Sequence, residues 1–194
     1  MKRRLLGLLL MLPFCLLWAS CHRQETVTAT NDVAALYAAL ESATTQATLS
    51  ADFGDRVIEF TLRYDFVRDG VSTVEILAPE EVRGIKATIE AGRTELIYDG
   101  LILETGSLPG TGLTPADALP AMFRAWGSGY AASTGRETLD GEACLHVVYK
   151  STVGGVEIEQ NAWFAADTFK PLKAETMAGG RRVIACVFDT FTFG

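Results

Sequence analysis

The chain has 194 residues and a net charge of −7, from 24 acidic and 17 basic side chains. That acidic balance argues against nucleic acid as a partner and against a basic membrane-binding face. The length suits a single domain burying about 70% of its unfolded surface.

Lys2, Arg3 and Arg4 form a basic start, Leu5 to Trp18 is a nearly unbroken apolar run, and Trp18-Ala19-Ser20-Cys21 follows with small residues before a cysteine. This order is that of a secretory signal. The run is too short for a comfortable membrane span, which needs about 20 apolar residues, and Pro13 interrupts it. The segment resembles a bacterial lipoprotein lipobox, although Trp18 stands where leucine is usual. The resemblance implies cleavage after residue 20, with Cys21 as an acylated mature N-terminus on the extracytoplasmic face of the cell membrane. Two or more acyl chains anchor stably where one does not. Removing residues 1–20 takes away three positive charges, moves the net charge from −7 to −10 and leaves 174 residues. The domains predicted are a signal peptide at 1–20, a tether at 21–30 and one folded unit at 31–194.

The polar, threonine-rich tether gives way to Val33, Leu36, Tyr37 and Leu40 at helical spacing, predicting a helix capped by Asn31 or Asp32 and running to about Thr45. The period then changes to two. In Arg56 to Val67 the even positions are Ile58, Phe60, Leu62, Tyr64 and Phe66, with Glu59, Thr61, Arg63 and Asp65 between them, which makes a half-buried strand. Asp69-Gly70 turns the chain into a strand over 71–78, and Pro79-Glu80-Glu81 can open a helical turn. Strands at 85–90 and 94–98 follow, separated by Ala91-Gly92-Arg93, and Asp99-Gly100 leads into another at 101–105.

Gly106 to Gly112 is a loop of glycine and proline, after which Thr114-Pro115 marks the start of a helix. Leu119, Met122, Phe123 and Trp126 give that helix an apolar face, Pro120 strains its first turns, and Gly127-Ser128-Gly129 ends it. Four further strands, at 143–151, 156–166, 170–178 and 181–193, are spaced by Asp140-Gly141, Gly154-Gly155 and Gly179-Gly180. The fold class predicted is α+β: eight or nine antiparallel strands in one curved sheet or open half-barrel, with helices on the concave side.

No catalytic constellation assembles from the sequence. His22 lies in the tether and His146 in a strand, so no paired histidines or HExxH motif can hold zinc. The glycine loop lacks the lysine of a phosphate loop, and Trp126 occupies the place of the first glycine in a nucleophile elbow. Glu157 and Glu159 share a strand face at a spacing that could serve glycoside hydrolysis, but the simpler reading is a solvated outer face. No catalytic residue, metal or cofactor is therefore assigned, and the chain is read as not an enzyme. Cys144 and Cys186 could pair in an exported protein, but two buried free thiols are favoured.

The run Trp163-Phe164-Ala165-Ala166-Asp167, then Pro171-Leu172-Lys173-Ala174-Glu175, and the closing Val187-Phe188-Asp189-Thr190-Phe191 resemble the late strands of the Lol-type (LolA-like) lipoprotein carriers. Within that fold the chain is similar to the lipid-anchored germination lipoproteins of spore-forming bacteria. This resemblance implies a membrane-tethered accessory that binds another exported protein, with activation of a spore-cortex amidase as its setting. The Lol-type likeness implies the alternative, a carrier or acceptor of lipoproteins or other apolar ligands. Candidates for contact with an apolar ligand or partner are Phe60, Leu62, Tyr64 and Phe66 on the strand, with Met122, Phe123 and Trp126 on the facing helix. The space between them is expected to be closed or nearly so.

Overall fold

Strand alternation begins earlier in the chain than the sequence predicts. The computed structural model describes residues 29–91, 93–106, 112–128 and 130–194. The signal segment, Cys21, His22, the centre of the glycine loop at 107–111, Gly92 and Gly129 lie outside the described residues. Helix α1 covers 29–39, so it starts before Asn31 and Asp32 and ends well short of Thr45. The reason is packing: Thr30 is buried together with Val33, Ala34 and Tyr37, which extends the apolar stripe by one turn toward the N-terminus. Strand β1 then takes Ser42–Asp52, residues read from sequence as the end of a helix and a connection.

The remaining strands are β2 (Val57–Val67), β3 (Ser72–Ala78), β4 (Lys86–Glu90), β5 (Arg93–Tyr98) and β6 (Leu101–Gly106). Helix α2 (Pro115–Gly127) follows, and then β7 (Ser133–Leu139), β8 (Glu142–Val153), β9 (Val156–Ala165), β10 (Pro171–Ala178) and β11 (Arg181–Phe193). A 3-10 turn at Glu80–Val82 occupies the place expected for a helical turn. The described residues thus hold eleven strands, not eight or nine.

The two strands missed have physical explanations. The inward positions of β1 are Ala43, Thr45, Ala47, Leu49 and Ala51, all buried, but mostly too small to give a hydrophobic alternation. Strand β7 is a polar edge, with the sequence STGRETL, and is ordered by its ladder to β8.

All strands join one antiparallel sheet in the order β6-β5-β4-β3-β2-β1-β11-β10-β9-β8-β7. Two meanders therefore flank a central seam in which the first strand pairs with the last, from Ala43 opposite Phe193 to Ala51 opposite Ile184. The sheet is open, and both helices pack on its concave side, in agreement with the predicted class. Small side chains along β1 share the core with the aromatic residues of the helices, which fill the space above them. Tyr37 is the hub: its ring lies 5.1 Å from that of Trp126, 5.6 Å from Phe164 and 5.9 Å from Phe123. Its hydroxyl donates to the carbonyl of Phe169 at 3.1 Å, and burial pushes its pKa up.

Candidate functional site

Helix α2 is fixed at both ends, and that fixes the spaces beside it. At its start the buried carboxylate of Asp117 accepts from the Thr114 N–H at 2.9 Å, the Thr114 hydroxyl at 2.7 Å and the Gly112 N–H at 3.3 Å. These bonds satisfy both carboxylate oxygens and hold the end of the glycine loop against the first turn. Helix geometry continues through Pro120. At its end Gly127 lets the two helices touch, because a Cβ there would stand 3.2 Å from the Tyr37 carbonyl oxygen and 3.3 Å from the Ala38 nitrogen.

A cleft of about 600 Å³ opens between α2, the end of α1 and strands β2 to β4. Tyr37, Tyr64, Phe66, Ile89, Pro120 and Phe123 give it an apolar wall, and Arg68, Asp69, Arg124 and Ser128 also line it. Arg68 is held by two carbonyls at the C-terminal end of α1, donating to Leu40 at 2.7 Å and Tyr37 at 3.1 Å. Basic side chains are favourable at that pole of a helix. A volume of this size falls in the range of small-molecule sites, which are mostly apolar with a few polar groups to orient the ligand.

On the other flank of α2 a smaller space of about 260 Å³ is lined by Arg124, Tyr130, Tyr149, Lys150 and Gln160, among others. Among the described residues, the buried Tyr149 hydroxyl and the Gln160 carbonyl oxygen have no hydrogen-bond partner. Burial raises the Tyr149 pKa, so this hydroxyl stays protonated and available as a donor.

The structure divides the candidate residues. Tyr64, Phe66 and Phe123 line the larger cleft, with Tyr64 and Phe123 in edge contact at 5.1 Å and Phe66 and Phe123 5.7 Å apart. Phe60, Leu62, Met122 and Trp126 are buried in the core. Sequence reasoning did not single out Tyr37, Arg68 or Ile89, although Tyr37 stood in the predicted stripe of α1. Arg68 follows an apolar strand and precedes a DG turn, which gives no sign that it reaches a helix terminus.

The outer face of the sheet carries the polar groups considered for catalysis. Lys150 pairs with Glu157 at 3.3 Å and with Glu159 at 3.0 Å, and its hydrogen bond is the main reason Glu159 has a lowered pKa. Both carboxylates are thus engaged by one lysine on the outer face. His146 stacks on Trp163 with ring centroids 4.4 Å apart, and its nitrogens lie 2.9 Å from Glu137 and 2.9 Å from Asn161. Among the described residues no group of three or more His, Cys, Asp or Glu could hold a metal ion, and no helix is long and apolar enough to cross a membrane. Cys144 and Cys186 are buried free thiols on β8 and β11. Two strands lie between them, so three spacings put them at least about 14 Å apart, twice the reach of a disulfide.

No family model matches the sequence, and no curated protein matches it. Among solved structures, an uncharacterized conserved protein from Thermus thermophilus is similar over 89% of this chain and 87% of its own, at 12% identity and a TM-score of 0.50. A LolA superfamily protein from Nitrosomonas europaea is similar over 88% of this chain and 93% of its own, at 13% identity and a TM-score of 0.47. A chain in the complex of the CwlD amidase with the GerS lipoprotein from Clostridioides difficile is similar over 80% of this chain and 88% of its own, at 13% identity and a TM-score of 0.44. At these identities the likeness is one of fold. The open antiparallel sheet with two helices on one side is the fold this chain shares with the Thermus thermophilus protein.

Proposed function

We propose that this protein is a lipid-anchored, extracytoplasmic binding module without catalysis of its own, and that the cleft beside α2 receives an apolar or amphipathic group. The observation that carries the reading is the aromatic wall of Tyr64, Phe66 and Phe123 around about 600 Å³, with Arg68 and Arg124 also lining the space. An acyl chain or an apolar segment of a partner would lose water against that wall, and the arginines suit an anionic or carbonyl-bearing end. Anchoring through Cys21 favours a stationary acceptor over a shuttle, since a multiply acylated chain does not leave its membrane.

The test is uptake of a fluorescent acyl-chain probe by the purified protein. Phe66 is half-buried on the cleft wall, so Phe66→Glu places a hydrated carboxylate there without burying it. Probe binding is expected to fall at least tenfold with the circular dichroism spectrum unchanged. A parent protein that takes up no probe defeats the reading.

The finer setting, an accessory to an exported amidase in a spore former, is supported by the chain's resemblance to the germination lipoproteins within that fold. Capture of the tagged protein from its native envelope tests it. Recovery of an amidase that Phe66→Glu fails to recover would tie that partner to the cleft.

A further inference from the structure

The two edges of the open sheet are built differently. Strand β7, at one end, is polar up to its last residue, Leu139, with Arg136 at its centre between Gly135 and Glu137. Such residues discourage pairing with another chain. Strand β6, at the other end, begins Leu101-Ile102-Leu103, and these three residues are 75%, 65% and 63% exposed.

Register shows where this apolar surface comes from. On the inner face one cross-strand row runs Tyr64, Val74, Ala87, Leu96, Leu103. Its first three members are buried in the core, Leu96 is half-buried, and Leu103 emerges into solvent. The row on the outer face runs Arg63, Glu75, Lys86, Ile97, Ile102. It starts as an ion-pair ladder, with Arg63 and Glu75 3.3 Å apart and Lys86 and Glu75 3.5 Å apart, and turns apolar at the last two strands. Both faces thus become apolar at the edge, where no described residue covers either.

The backbone states the register of what would cover them. Asp99 and Gly100, with φ of 49° and 77°, form the two-residue turn between β5 and β6. A turn of this kind is closed by a hydrogen-bonded pair, here Tyr98 and Leu101. Hydrogen-bonded and open pairs alternate along an antiparallel ladder, so Ile97 and Ile102 are an open pair. The N–H and C=O of Ile102 therefore point away from the sheet. The sequence around this outward-facing residue is a palindrome, Leu-Ile-Leu. A two-fold axis at Ile102 sets Ile102 against Ile102 of a second copy as a hydrogen-bonded pair. It also sets Leu101 against Leu103 of the second copy on the inner face, so the unfinished core row runs on into the partner.

We propose that two copies of this protein pair antiparallel through β6, centred on Ile102, to form one continuous sheet. Leu101, Ile102 and Leu103 each expose roughly 130 Å², so the symmetric contact covers at most about 800 Å² of side-chain surface, at the weak end of specific interfaces. Copies held in one membrane plane by their N-termini meet at a raised effective concentration, which suits a contact of that size.

Disulfide trapping of the full chain in intact cells tests the pairing and its register, whether or not the chain is anchored. A hydrogen-bonded antiparallel pair has Cα atoms about 5.5 Å apart, inside disulfide range, so Ile102→Cys should give a covalent dimer under mild oxidant. Leu101→Cys alone should not, because its two copies sit about 8–9 Å apart in this register, outside that range. Leu101→Cys and Leu103→Cys made together should cross-link to each other. Cys144 and Cys186 are buried and do not compete, and the parent chain, with no added cysteine, reports any cross-link through Cys21. Adding Ile102→Pro to both chains should abolish the mixed dimer while leaving the circular dichroism spectrum intact, because that N–H makes no ladder bond within the chain.

A monomeric Ile102→Cys chain overturns the proposal. So does cross-linking of Leu101→Cys alone to the same extent, which would mean random collision, or a mixed dimer that survives Ile102→Pro. A monomeric chain that Leu101→Glu releases from phospholipid vesicles would assign this edge to the bilayer instead.

Discussion

Leu62 and Phe66 stand on the same face of β2, and their surroundings reverse the consequence of one substitution. Leu62 is fully buried in the core, with Ala47 opposite it on β1 and Ile76 opposite it on β3. A carboxylate placed there has no water and no partner, at a cost of several kcal/mol against a total stability of about 5–15 kcal/mol. Leu62→Glu is expected to unfold the domain, seen as loss of the cooperative urea transition by circular dichroism. Phe66→Glu, two places further along that face, is expected to keep its transition and lose its ligand. If both variants stay folded, the β2 end of the core is as hydrated as the cleft. The burial of Leu62 then has no energetic meaning. The pattern of even positions on this strand announces an apolar face. It does not say where along that face the facing helix stops covering it.

At the level of elements, the outer face is held by charge where the inner face is held by packing. The Arg181 hydrogen bond chiefly lowers the Asp52 pKa, the Trp163 indole N–H that of Glu137, and the Lys150 hydrogen bond that of Glu159. For Glu175 burial acts upward, but Lys173 and Arg182 outweigh it and the pKa is lowered. A carboxyl whose folded pKa is depressed contributes stability that is present above its unfolded value and lost as pH falls through the folded one. The urea midpoint should therefore hold steady above about pH 5 and fall below it. Glu137→Gln should flatten part of that fall. Exposed pairs contribute little each, so the slope should shrink further in high salt.

The same contrast explains what was legible in the sequence. Strands with large inward residues, such as β2, and turns marked by Asp-Gly or Gly-Gly were placed almost to the residue. The Thr114-Pro115 start of α2 was legible because capping is a local interaction. β1 was not, because its inward alanines become informative only once the aromatic side chains above them are in place. β7 was not, because a polar edge strand takes its order from a neighbour. The cleft was hidden for a related reason: its wall combines α1, α2 and three strands, and Arg68 enters it only through the carbonyls of a distant helix end.

For the whole molecule, attachment to a membrane rests on the lipid proposed for Cys21. The chain that follows Cys21 is acidic, and the described residues contain no helix able to span a bilayer. If lipid on Cys21 supplies the attachment, Cys21→Ala should move the protein to the soluble exported fraction or leave it unprocessed. Fractionation of cells followed by mass measurement of the product distinguishes the two. A processed Cys21→Ala chain still found with the membranes would count against the lipid.

The central seam has a kinetic consequence. Each meander closes through hairpins between neighbours in the chain, but β1 finds β11 only across about 140 residues. Pairings between remote segments are slow to form, because a long loop must be closed before they return any energy. If the chain is exported from its N-terminus, β1 emerges first and β11 follows only about 140 residues later. Until Phe193 arrives opposite Ala43, the alanine row of β1 lacks one of its two neighbours and the core under Tyr37 and Trp126 cannot close. A chain in that unfinished state would stay loose enough for threading through a translocation channel. It locks only once β11 has followed β1.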